Sequence, residues 1–71
     1  MPDDRIEQLY QEMFAKLYQY ALRITSNPSL AEEAVQNTFC IACSKKDSLF
    51  SSDNPRGWLM NTLKNVIRNM L

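Results

Sequence analysis

Cys40 and Cys43 form a C-x-x-C and are the only two cysteines of the chain. Two thiols make half of a tetrahedral zinc site. A thioredoxin-like redox reading needs a βαβ pattern beside the motif, and no strand pattern precedes it. On a helix the two are expected to behave as small hydrophobes. Glu32 and Glu33 are adjacent, so on a helix they point about 100° apart and cannot act as a paired acid and base. The sequence has no His, which removes the commonest general base and the usual zinc ligand sets. A single Gly excludes a glycine-rich phosphate loop. The residues therefore describe a non-enzyme that calls for no cofactor.

Two sets of polar residues remain. Glu33, Gln36 and Asn37 stand at i, i+3 and i+4, so on a helix they project from one side as a compact hydrogen-bonding patch. Asn61, Asn65 and Asn69 recur every four residues. Asparagine competes for backbone hydrogen bonds and is a mediocre helix former, so the row costs stability without a packing gain. It carries the donors and acceptors that read base edges or phosphates. Lys45, Lys46, Arg56, Lys64 and Arg68 supply positive charge around it. Phe50 and Trp58 offer rings for stacking unpaired bases, although Trp58 also suits a core anchor and Phe50 a cap on the bundle.

The elements that position these residues are helical. Apolar residues run Ile6, Tyr10, Met13, Leu17, Tyr20 and Ile24, widened by Leu9, Phe14 and Ala21, which predicts an amphipathic helix of about five turns. Pro2, Asp3 and Asp4 mark its start and Asn27-Pro28 its end. Ser29-Leu-Ala-Glu32 predicts a capping box for a second helix, with Ala31, Val35, Thr38 and Ala42 inward and Ala34, Phe39 and Ile41 beside them. Residues 44–54 read as a polar loop interrupted by Leu49 and Phe50. A third helix opens with Asn54 as N-cap and Pro55 in its first position. It carries Trp58, Leu59, Leu63 (or Thr62), Val66, Ile67 and Met70 at three-to-four spacing, and runs to the chain end without a stop signal. The expectation is an all-α three-helix bundle, one domain over 1–71, with Leu71 as a truncation point.

Composition bounds the rest. A chain of 71 residues buries only about 60% of its unfolded surface, so the bundle is marginal. Net charge is zero, which argues against a general nucleic-acid binder. The charge is nevertheless uneven, net negative before Ser44 and net positive from it onward, as expected of two surfaces with different partners. Two cysteines without a signal peptide fit a reducing cytosol. No apolar run approaches the ~20 residues that span a membrane.

The stretch Ser29-Leu-Ala-Glu-Glu-Ala-Val-Gln-Asn-Thr-Phe39 resembles the second-helix signature of extracytoplasmic-function sigma factors, AED-x-x-Q-x-x-F. Pro55-Arg-Gly-Trp-Leu59 followed by Lys64-Asn65 is similar to the family's W-L-x-x-x-x-x-N pattern, and Leu9-Tyr10 and Tyr20-Ala-Leu-Arg-Ile24 suit the start of region 2. The likeness covers nearly the whole chain in the right order. It departs at Glu33, where Asp is commoner, and at Asn69, where the family often has Asp with a basic run behind it.

The resemblance implies a cytoplasmic transcription-initiation domain. By it, Glu33, Gln36 and Asn37 would dock on the clamp helices of the largest RNA polymerase subunit. The segment Lys45–Asn54, with Lys45, Lys46 and Phe50, would capture a flipped base of the −10 promoter element. Asn61, Lys64, Asn65 and Arg68 would meet the single-stranded non-template strand. An anti-sigma factor is a further partner of the family, and the C-terminal domain that reads the −35 element would be absent. The competing readings are a helical adaptor or regulatory module that does not act with polymerase, and a redox module built on Cys40 and Cys43.

Overall fold

The computed structural model describes residues 4–71, so the expected start at Pro2 and Asp3 lies outside the described residues. Among these there are four helices and no strand: α1 Asp4–Thr25, α2 Pro28–Ser44, α3 Lys46–Ser51 and α4 Pro55–Met70. None is long and apolar enough to cross a membrane. α1 packs most extensively on α2, α4 packs against both, and α3 sits against α4 and α2.

α1 has Asp4 and Glu7 in its first turn and Arg23 in its last, the signs that suit the helix dipole. Its buried row is Leu9, Met13, Leu17 and Ala21, rotated from the expected stripe. Tyr10 and Ile24 instead stay 39% and 46% exposed. The cause lies in α2, whose inward residues Ala31, Ala34 and Ala42 are fully buried and small. Such a face accommodates the aliphatic row of α1, and the larger aromatics lie at its edge.

The α1–α2 corner corrects the expected cap. Asn27, not Ser29, is the N-cap of α2: its Oδ1 accepts from the Ser29 and Leu30 N–H groups at 2.9 and 3.2 Å. The residue before a proline is pushed to extended backbone, and Asn27 at φ −144° and ψ 111° already has N-cap geometry with Pro28 at the first helical position. The constraint that ends α1 thus starts α2. Between them Ser26 takes φ 54°, the left-handed region, and its N–H closes on the Leu22 carbonyl at 2.8 Å. The Thr25 hydroxyl donates back to the Ala21 carbonyl at 2.8 Å.

The polar loop is also corrected, since six of its residues form α3 and the bundle has a fourth, short helix. Leu49 is fully buried and Phe50 packs half-buried on the core, so this apolar pair anchors the segment. A pair of adjacent apolar residues shows no helical period, which is why the turn reads as loop.

α4 starts as expected. Asn54 Oδ1 accepts from the Gly57 N–H at 3.1 Å, with Pro55 in the first turn. A Cβ at Gly57 would stand 2.6 Å from Asn54 Nδ2, so the glycine makes room for the cap. Leu59, Leu63 and Ile67 enter the core, while Trp58, Val66 and Met70 lie half-buried at its edge. Thr38 is the one buried polar residue in the described core, and its hydroxyl donates to the Ala34 carbonyl at 2.8 Å.

Candidate protein and nucleic-acid interfaces

α2 buries Ala31, Ala34, Val35, Thr38 and Ala42, which turns the opposite side outward. Glu33, Gln36 and Asn37 all lie exposed there. Gln36 Nε2 donates to Glu32 Oε1 at 3.3 Å, so Glu32 belongs to the same patch. Its i, i+4 spacing from Gln36 was the available signal for including it. The patch is acidic and exposed, suited to hydrogen bonding with a basic or polar partner.

On α4, Leu59, Leu63 and Ile67 face inward and Asn61, Lys64, Asn65 and Arg68 are exposed. At about 100° per residue these four share a sector roughly 100° wide. One edge of the sector meets α1, where the Lys64 ammonium lies 5.7 Å from the centre of the Tyr20 ring. There Lys64 and Arg68 line a shallow groove with Tyr20, Ile24 and Leu71.

The other edge carries the aromatic site. Asn65 and Asn69 line a groove of about 350 Å³ with Lys45, Ser48, Trp58 and Thr62. The Trp58 indole N–H donates to the Ser48 hydroxyl at 3.3 Å, and the Thr62 hydroxyl donates to the Trp58 carbonyl at 2.9 Å. Lys45 is the corner residue between α2 and α3, and Lys46 is exposed at the start of α3. The third asparagine joins the two surfaces. Asn37, Cys40, Ile41, Val66, Asn69 and Met70 line a second groove that shares Ile41, Val66 and Asn69 with the first.

Phe50 stands apart from this group. Its ring lies under Arg5, with the guanidinium carbon 4.1 Å from the ring centre. It lines a separate groove with α1 residues Gln8 and Glu12 and with Pro55 and Arg56. Arg56 is likewise engaged, its guanidinium 2.6 Å from the Glu12 carboxylate. Both of that pair are substantially exposed, so the bridge contributes only about 0–1 kcal/mol. Cys40 and Cys43 are free and exposed on α2, which corrects the expectation that they pack as small hydrophobes.

Residues 9–71 match the family model described as Sigma-70 region 2. The chain belongs to the sigma-70 region 2 family. It is also similar to the "ECF RNA polymerase sigma factor SigL" of Mycobacterium tuberculosis, in strains Erdman, CDC 1551 and H37Rv, at 37% identity over 60 residues. The match covers 83% of this chain and 34% of the relative, so the chain spans about a third of the length of the curated relatives it matches. No solved structure gives a significant match. In this sigma region 2 domain, of the extracytoplasmic-function type, the matched segment contains all three asparagines of α4 and the whole α2 patch.

Proposed function

We propose that this chain serves transcription initiation by joining RNA polymerase to promoter DNA through two adjoining surfaces. The α2 patch of Glu33, Gln36 and Asn37, with Glu32 beside them, docks on the clamp helices of the largest subunit. The groove of Lys45, Trp58, Asn65 and Asn69, continued over Asn61, Lys64 and Arg68, takes the single-stranded non-template strand at the −10 element. Lys46 opens α3, whose Ser48 lines this groove, and Phe50 anchors that short helix from a separate groove. An anti-sigma factor competing for the α2 patch fits the same reading.

The observation that carries the proposal is the shared groove wall. Asn69 lines both the groove that holds Trp58 and the one that reaches Asn37, so a strand held by α4 lies directly beside a partner docked on α2. Trp58 supplies a stacking face, and the amides beside it supply hydrogen bonds to base edges. Extruding a base costs a few kcal/mol, which stacking worth about 1–3 kcal/mol per base offsets.

The test is assembly with core polymerase. The expected outcome is co-elution of the chain with the core, and capture of a single-stranded −10 non-template oligonucleotide by the complex but not by the core alone. A folded chain that neither co-elutes nor confers strand capture contradicts the proposal and points to an adaptor with another partner.

A further inference from the structure

Free cysteine is among the most buried residue types, yet Cys40 and Cys43 are both exposed, one turn apart on α2. Packing does not account for them. We propose that Cys40 and Cys43 form a dithiol site for one thiophilic metal or metalloid centre that takes two sulfur ligands, and that filling it closes the α2 docking face. The second half rests on the docking role argued above; the first does not.

Helix geometry selects the type of ligand. Residues at i and i+3 hold their Cβ atoms about 5–6 Å apart, whereas a disulfide needs about 3.5–4.5 Å. Direct oxidation would therefore distort the last turn of α2. A bridging centre with bonds near 2.3 Å, the length of a zinc–sulfur bond, spans two sulfurs about 4 Å apart and leaves the helix intact. Zinc itself is a poor fit. It takes four ligands in structural sites, and among the described residues no group of three or more His, Cys, Asp or Glu is placed to hold a metal. Trivalent arsenic bearing one organic group needs two sulfurs and no more. An arsenoso group, R–As=O, reacts with the two thiols to give R–As(S)₂ and water. Two As–S bonds form, the arsenic–oxygen bond breaks, both thiol protons leave in the water, and no oxidation state changes.

Placement supplies the consequence. Cys40 follows Gln36 by four residues and Asn37 by three, so all three share one side of the helix. Cys40 also lines the groove that holds Asn37 and Asn69. A centre bridging Cys40 and Cys43 adds bulk where a partner helix would lie against Gln36 and Asn37.

The experiment adds phenylarsine oxide to the whole chain in excess glutathione, a monothiol competitor. Mass spectrometry should show one arsenical per chain with the loss of one water, and circular dichroism should show unchanged helicity. Cys40→Ala or Cys43→Ala alone should weaken capture on the order of a hundredfold or more, because the second thiol acts at high effective concentration. An adduct that forms equally well in both single variants, or only after unfolding, overturns the dithiol site. Zinc at the same concentration should not displace the arsenical, and displacement would overturn the two-ligand assignment. The arsenical form should no longer bind the polymerase clamp-helix fragment, with binding restored by a dithiol. Full binding by that form overturns the closing of the face. An unmodified chain that fails to bind the fragment overturns the docking role and the closing with it, while mass and helicity still decide the site.

Discussion

Asn37 on α2 and Asn69 on α4 line the same groove, although one belongs to the α2 patch proposed to meet polymerase and the other to the asparagine row. The two surfaces are therefore neighbours, with Ile41 and Val66 between them. A partner bound on α2 narrows the space over α4, and a strand bound on α4 reaches the edge of that partner. Binding to core polymerase is thus expected to strengthen strand capture beyond what the free chain achieves.

Trp58 and Phe50 are predicted to separate in function. Trp58→Leu keeps an apolar side chain at the groove edge but removes the stacking face, so affinity of the polymerase complex for the −10 strand should fall by about 1–3 kcal/mol. Phe50→Leu should change that affinity little, because its ring lies under Arg5 in a separate groove. Fluorescence anisotropy of a labelled oligonucleotide measures both, and equal losses would contradict the assignment of the stacking site.

Salt should report the phosphate contacts. With Lys45, Lys64 and Arg68 as the contacts, the logarithm of the strand-binding constant should fall against log salt with a slope of about −2, at roughly −0.7 per single-strand phosphate neutralised. Lys64→Ala should lower the magnitude of that slope by about 0.7. A slope unchanged by Lys64→Ala would place the backbone elsewhere.

Ser26 holds a left-handed conformation at φ 54° that a side chain disfavours. Replacing it with Gly removes that cost of roughly 1–2 kcal/mol but adds about 0.5–1 of chain entropy. Ser26→Gly should therefore raise stability by about 0.5–1 kcal/mol and Tm by roughly 2–8 °C. A thermal melt measures it, and an unchanged or lowered Tm would contradict the reading of this corner.

Leu49 is the fully buried residue of α3. Leu49→Ala should cost about 2–5 kcal/mol, a large fraction of what so small a domain has. Chemical denaturation should show this loss. A cost below about 1 kcal/mol would mean that α3 is not anchored through this side chain.

Most of this arrangement is legible in the residues, and the failures share a cause. The α2 patch and the α4 row follow from helical spacing, which depends on no other element. The N-cap at Asn54 follows from Pro55 behind it. The cap at Asn27 is equally local, but Ser29 and Glu32 offered a competing pattern, and the extended backbone imposed before Pro28 decided between them. α3 escaped because Leu49 is explained only by the core it enters. The rotation of α1 depends on the alanines of α2, and the split of Phe50 from Trp58 depends on which helix each ring meets. These are tertiary facts, and spacing along one segment does not contain them.

The proposed function depends first on docking of the exposed side of α2 on polymerase. Calorimetric titration of the chain into a clamp-helix fragment of the largest subunit tests it most directly, with Gln36→Ala as the probe. Gln36 is exposed and pairs only with exposed Glu32 among the described hydrogen bonds, and alanine is the better helix former, so the variant should stay folded. The prediction is binding by the chain, weakened roughly five- to thirtyfold by Gln36→Ala through the loss of about 1–2 kcal/mol, with helicity unchanged. Equal binding by the two proteins, or none by a folded chain, would contradict the account.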